Sequence, residues 1–391
     1  MLLGFLDNDL YKFTMQQAVL SRYGGHPAAY ELFSRRRPVR VNESFAEAFA
    51  AELEGMAALR LQDHERAYLG GLDLFGDDYL EYLSDFRFQP DTVAWKLDRA
   101  GELSIEVEGP WEEVILWEVP LLALVSELYF TRVHPAAQDS LEDYRLRSFR
   151  KGQALREAGC RFADFGTRRR YSAAHQEVMI EAMLEANPPD VEDSCLTGTS
   201  NVELARKYGI RPVGTVAHEW IMAHEVMFGV EQANERAMQE WLDIYNGEAA
   251  IALTDTYTSS LFFRDFTPKL SGAYSGVRQD SGSPEEFFDR LLRHYRARGI
   301  DPAGKRVVFS DGLNVGRVRE IHRHVDGRMQ DAYGIGTHLT NDIPGSEPLD
   351  IVIKMTRFDG EHAVKLSDEP GKVTGDADKC RRIQELIGAL D

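Results

Sequence analysis

His218 ends the stretch Gly209-Ile-Arg-Pro-Val-Gly-Thr-Val-Ala-His218, where a short apolar run gives way to a helical one. An imidazole at a strand's C-terminal end is accessible and nucleophilic near neutral pH, which suits group transfer. Arg278 and Asp280 stand two apart in Val277-Arg-Gln-Asp-Ser-Gly-Ser-Pro284, so an extended backbone points both side chains the same way. Together they suit a diphosphate and a ribose hydroxyl, or they form an ordinary ion pair. Phe165 and Arg168, in Asp164-Phe-Gly-Thr-Arg-Arg-Arg-Tyr171, set an aromatic face beside cations and suit a flat anionic ring. Gly334, Gly336 and Thr337, with Ser310-Asp311-Gly312 before them, offer small residues and backbone N–H groups of the kind that cradle phosphate.

Each of these groups needs an element to aim it. From about residue 160 short apolar runs alternate with amphipathic stretches. The runs are Arg161–Gly166, Ser194–Ser200, Arg211–Val216, Ala250–Thr256, Ser275–Gly282, Arg306–Gly312 and Asp331–Thr337; the amphipathic stretches include Ala173–Glu185, Val230–Tyr245, Pro284–Arg298 and Val315–Val325. Buried strands alternating with helices imply βα units and a parallel sheet, and polar residues collected after the strands fit a barrel better than an open sheet. The first part mixes helices over Glu43–Ala58, Asp63–Gly70 and Asp77–Phe86 with strands over Val93–Leu97 and Leu103–Gly109. Glu112–Phe130 reads as a strand followed by a buried helix, and Asp350–Ser367 as a hairpin about Asp359-Gly360. The expected class is therefore α/β: an irregular TIM-like barrel over residues 136–349, with an N-terminal α+β domain over 1–135 on which 350–391 packs.

Composition narrows the function. A 391-residue chain, 43% apolar, can bury a large core. Its net charge of −19 repels phosphate backbones, which argues against nucleic acid despite Arg35-Arg36-Arg37 and Arg168-Arg169-Arg170. No run approaches the ~18 apolar residues of a membrane span, and the start turns acidic at once, unlike a signal peptide. No membrane partner and a cytoplasmic location are expected. Cys160, Cys195 and Cys380 form no CxxC pair, so neither a disulfide framework nor structural zinc is expected. His218 and His224 are six apart, about 240° around a helix, which is wrong for a zincin. No metal-binding side chains are therefore assigned. No P-loop occurs, and Gly334-Ile-Gly-Thr-His-Leu lacks the third glycine of a dinucleotide fingerprint.

Taken in order, Asp7-Asn-Asp-Leu-Tyr-Lys-Phe-Thr-Met15, Phe165-Gly-Thr-Arg-Arg169, Gly198-Thr-Ser-Asn-Val202, Gly214-Thr-Val-Ala-His-Glu219, Val277-Arg-Gln-Asp-Ser-Gly282 and Gly334-Ile-Gly-Thr-His-Leu-Thr-Asn341 resemble the nicotinate phosphoribosyltransferase family almost end to end. The resemblance implies a reaction of nicotinate with phosphoribosyl pyrophosphate that gives nicotinate mononucleotide and pyrophosphate. ATP is a co-substrate, its hydrolysis coupled through a phosphohistidine at His218, and Mg²⁺ stabilises the departing diphosphate with Arg278. It further implies that Phe165 and Tyr11 sandwich the pyridine, with Tyr11 and Asp9 coming from the second subunit of a homodimer. Arg168 would reach the nicotinate carboxylate or the diphosphate. Arg278 and Asp280 would hold phosphoribosyl pyrophosphate, and Thr199, Ser200, Ser281, Asp311, Gly312, Gly336 and Thr337 would complete substrate binding. Ser200 lies where the nicotinamide-using relative has aspartate, so Ser200→Asp is expected to move preference towards the amide. The rival readings are a quinolinate or nicotinamide phosphoribosyltransferase, a lyase using Lys354, and a non-catalytic protein that binds pyridine nucleotides.

Overall fold

A computed structural model describes residues 1–134, 140–248 and 250–390. The domain boundary expected at residue 135 lies outside the described residues. The strands are β1 (Pro27–Ser34), β2 (Val93–Leu97), β3 (Leu103–Pro110), β4 (Phe162–Asp164), β5 (Leu196–Thr199), β6 (Ile251–Leu253), β7 (Gly276–Gln279), β8 (Arg306–Phe309), β9 (Gln330–Ile335), β10 (Ile351–Phe358) and β11 (Glu361–His362). By packing, the chain forms two compact units. The first holds Met1–Gly25, Ala29–Val213 and Ile335–Lys354; the second holds His26–Ala28, Gly214–Gly334 and Met355–Asp391. Residues 350–354 therefore group with most of β1, whereas 355–391 group with 214–334.

In the first unit an antiparallel sheet runs in the order β10-β1-β3-β2, and β4 pairs parallel with β5. Alternation in Leu103-Ser-Ile-Glu-Val buries Leu103, Ile105 and Val107, as a half-buried strand requires. The strand expected at the start of Glu112–Phe130 is instead helical. Trp111–Val114 is a helix, Ile115–Trp117 a tighter turn, and Glu118–Leu128 a second helix that ends in a wider turn over Tyr129–Val133. Glu112 and Glu113 in its first turn favour a helix start, and a run apolar on all sides fits a helix buried all round. Among the described residues this Trp111–Val133 run is long and apolar enough to cross a membrane, yet 94% of its most apolar window is buried inside the protein, as in a core helix.

The second unit carries the parallel ladder β6-β7-β8-β9, each strand followed by a helix, as the βα reading expected. Gly276 is required where β7 passes β8, because a Cβ there would stand 2.1 Å from the Arg306 carbonyl oxygen. Arg211–Val216 does not form the expected strand. It contributes only an isolated bridge at Pro212, whose missing N–H cannot extend a ladder. In the hairpin Asp359 and Gly360 both take positive φ (51° and 79°), the favoured two-residue turn, and β11 after it is only two residues long.

Candidate functional site

Each unit gathers its own polar cluster. In the first, the N-terminal segment is fixed by Arg170, which is fully buried and donates from both terminal nitrogens to the Asp7 carboxylate, each at 2.8 Å. Asn201 adds a 2.7 Å bond to the same carboxylate while its side chain caps the helix Val202–Tyr208. This fork-on-fork anchor sets Asp9 and Tyr11 at the start of the helix Leu10–Tyr23. Ser200 Oγ donates to Asp9 Oδ1 at 2.7 Å, and Arg168 Nε lies 3.8 Å from Asp9 Oδ2. The Arg168 guanidinium also stands 5.9 Å from the centre of the Tyr11 ring and 3.2 Å from Glu118, whose other oxygen accepts from the Tyr11 hydroxyl. Burial pushes the Asp9 carboxyl above the usual carboxylate range, against the pull of Arg168 and Ser200.

Within the chain Asp9 therefore meets Ser200 and Arg168, and the Tyr11 ring lies beside Arg168. The Ser200 hydroxyl, 4% exposed, donates to Asp9. Thr199 is likewise internal, donating to Asp164 Oδ2 at 2.8 Å. Phe165 is half-buried and Gly336 packs on its carbonyl, where a Cβ would come within 3.2 Å. Gly336 precedes a helix of only four residues, Thr337–Thr340, and Thr337 is half-buried. Arg35, Arg36 and Arg37 pair with Glu347 or Asp350 at 3.4 to 3.7 Å, an ion-pair network on the surface.

In the second unit His218, Arg278 and Asp280 come together as expected. His218 begins the helix His218–Phe228, and its Nε2 lies 3.3 Å from Asp280 Oδ2. Arg278 Nη2 is 3.4 Å from the same oxygen, and its Nη1 donates to Thr215 Oγ1 at 2.9 Å. Ser310 Oγ donates to Asp280 Oδ1 at 2.6 Å. A helix N-terminus beside a guanidinium is favourable to an anion. Arg278 Nε and Asp255 Oδ1 are buried with no hydrogen-bond partner among the described residues, a donor and an acceptor that a ligand or water would satisfy. Gly312 turns with φ 58°, and Asp311 is paired with Lys372 at 2.5 Å.

Sequence reasoning missed Thr215, Thr256, Asp255, Lys365 and Lys372. Thr256 Oγ1 is 3.0 Å from His218 Nδ1, Lys365 Nζ is 2.9 Å from His218 Nε2, and Ser281 Oγ donates to Asp255 Oδ2 at 2.6 Å. Lys365 interrupts the apolar Ala363-Val-Lys-Leu366, the one sequence signal that it is buried and partnered. Burial first, then the Lys365 charge, push the His218 imidazole down to about 4, keeping it neutral and nucleophilic. Burial opposes ionisation of Asp280, but Arg278, His218 and Lys365 hold its carboxyl well below the usual range. This arrangement can bind phosphate-rich anions and present a neutral imidazole to them.

Comparison with known proteins accords with this chemistry. Residues 6–126 match the model of the nicotinate phosphoribosyltransferase N-terminal domain, and residues 160–387 match that of the nicotinate phosphoribosyltransferase family. Nicotinate phosphoribosyltransferases of Methanosarcina mazei and Desulforapulum autotrophicum are each 42% identical, covering 99% of this chain and 98% and 99% of theirs. Crystal structures of nicotinate phosphoribosyltransferase from Porphyromonas gingivalis (TM-score 0.93, 35% identity, 99% of this chain and 100% of that one) and Vibrio cholerae (TM-score 0.89, 31% identity, 100% and 96%) are similar throughout. An anion-adapted imidazole cluster, a cation beside a tyrosine, and relatives matched from end to end agree: the chain belongs to the nicotinate phosphoribosyltransferase family.

Proposed function

We propose that this protein is an enzyme joining nicotinate to the phosphoribosyl group of phosphoribosyl pyrophosphate, releasing pyrophosphate and forming nicotinate mononucleotide, the first step of NAD synthesis from nicotinate. Turnover is coupled to ATP hydrolysis through phosphorylation of His218, which makes the enzyme formally a ligase. The observation that carries this reading is the neutral imidazole at a helix start, 3.3 Å from Asp280 and 2.9 Å from Lys365, in a chain of this family. In the first unit Arg168 beside Tyr11 suits the carboxylate and ring of nicotinate, with Ser200 close by at Asp9. In the second unit Arg278, with an unsatisfied Nε, and Asp280 suit the diphosphate and ribose of phosphoribosyl pyrophosphate.

Glycosyl transfer at the ribose C1 passes through a cationic sugar, so the residues act by orientation and charge more than by proton transfer. Arg278 offers charge to the leaving diphosphate. A phosphate on His218 adds roughly 1.5 to 2 negative charges beside Arg278, enough to change how that side chain holds a second anion. Mg²⁺ enters as the counter-ion of ATP and phosphoribosyl pyrophosphate. The proposal includes a homodimer, a cytoplasmic location, and neither nucleic-acid nor membrane binding. It also keeps the sequence's division at residue 135. Mass spectrometry of a reaction with nicotinate, phosphoribosyl pyrophosphate and ATP should give nicotinate mononucleotide and ADP. Product from quinolinate with loss of CO₂ and no ADP, product from nicotinamide alone, or no turnover at all would each replace this reading by one of its rivals.

A further inference from the structure

The metal-like constellation of the second unit does not fit a divalent ion. His218, Asp255 and Asp280 offer ligand atoms that all lie within 4.8 Å of one another, spacing that a cation could bridge. Lys365 already serves that space, its Nζ 2.9 Å from His218 Nε2 and 3.2 Å from Asp255 Oδ2, with the side chain 2% exposed. Its backbone is pinned on both sides. Lys365 and Thr374 exchange N–H···O bonds of 3.0 and 2.9 Å, the Leu366 N–H donates to the Thr256 carbonyl at 3.0 Å, and Ser367 Oγ donates to Ser281 Oγ at 2.9 Å. A resident ion would have to displace a buried ammonium whose own desolvation has already been offset by these partners.

We propose that Lys365 is the built-in cation of this cluster, standing where a divalent ion would stand and supplying the positive charge that brings a phosphoryl group to His218. This rests on the phosphohistidine reading above. In the step, a bond forms between an imidazole nitrogen and the γ-phosphorus of ATP. The bond from that phosphorus to the β–γ bridging oxygen breaks, and ADP leaves with the electron pair. As the phosphoryl group arrives, Lys365 passes its hydrogen bond from His218 Nε2 to a phosphoryl oxygen, while Thr256 continues to hold Nδ1. Water later cleaves the N–P bond, returning imidazole and inorganic phosphate. Asp255 and Asp280 face the ring as carboxylates, and among the described residues Lys365 is the one cation in hydrogen-bond contact with the imidazole.

The test uses the intact enzyme, labelled ATP and Mn²⁺. Lys365→Ala should slow labelling of His218 by about 100-fold, the usual consequence of removing one charge-stabilising donor, and butylamine should restore part of the rate. The same variant, free of nucleotide, should acquire a Mn²⁺ site visible by electron paramagnetic resonance that the wild type lacks. Because Lys365→Ala leaves a buried carboxylate uncompensated, Lys365→Ala/Asp255→Asn provides a second background for the amine rescue. Labelling at the wild-type rate, or slow labelling that ignores the amine in both backgrounds, overturns the proposal. If the wild type itself takes no label, the phosphohistidine reading fails instead, and a wild type that binds Mn²⁺ as well as the variant refutes the built-in cation independently.

Discussion

Ser200→Asp places a second carboxylate where Ser200 Oγ now lies 2.7 Å from Asp9 Oδ1, in surroundings that leave the two residues 4% and 2% exposed. Two charges about 3 Å apart at an effective dielectric constant of about 20 repel by roughly 5 kcal/mol, equivalent to about four pH units. Asp9 already sits above the usual carboxylate range because of its burial, so the pair will keep one proton well above that range. A carboxyl raised in the folded state binds protons that the unfolded chain has released. The cost therefore grows as pH rises from the ordinary carboxylate value towards the raised one. Relative to wild type, urea denaturation should show Ser200→Asp weakened at pH 7.5 by up to about 5 kcal/mol, with part of the loss recovered at pH 5.5. Ser200→Asn, whose amide can donate to Asp9, should show no such dependence and should keep its preference for nicotinate. A Ser200→Asp protein as stable as wild type at both pH values would refute the placement of Asp9 against Ser200.

Arg168→Met should lower kcat/KM for nicotinate by roughly 10- to 100-fold, the worth of one charge-assisted hydrogen bond, with little change for nicotinamide in steady-state assays. Gly276→Ala should cost about 3 kcal/mol or prevent folding, because its Cβ meets the Arg306 carbonyl at 2.1 Å; Gly304→Ala, facing open space, should be neutral in the same denaturation measurement. His218 and His294 are both pushed down to about 4, chiefly by burial, so their NMR signals should report neutral rings at pH 6. Their contribution to stability is complete above the unfolded value near 6.5 and is lost as pH falls towards 4. Asp164, raised to about 6 by burial, works in the opposite sense between about 4 and 6.

The parallel strands were legible because Arg306–Phe309 and Gln330–Ile335 are short apolar runs closed by Ser, Gly and Thr, and Val230–Tyr245 and Val315–Val325 keep a helical period to their last residues. Trp111–Val133 misled because an apolar run carries no period that separates strand from buried helix. Pro212 misled in the other direction, its neighbours reading as a strand that its missing N–H forbids. His218, Arg278 and Asp280 were readable from their places at element ends. Lys365 and Asp255 were not, since one follows a hairpin and the other a three-residue strand, and only tertiary packing brings them 3.2 Å apart. The contact between Ser200 and Asp9 was not readable either, since the two stand 191 residues apart in sequence.

The central claim is that His218 carries the phosphoryl group. Incubation with γ-labelled ATP, followed by acid and alkali treatment and peptide mapping, should yield an acid-labile, alkali-stable phosphate on the peptide containing His218, absent from His218→Asn. Label on another residue, or ATP-stimulated product formation that survives in His218→Asn, would contradict it.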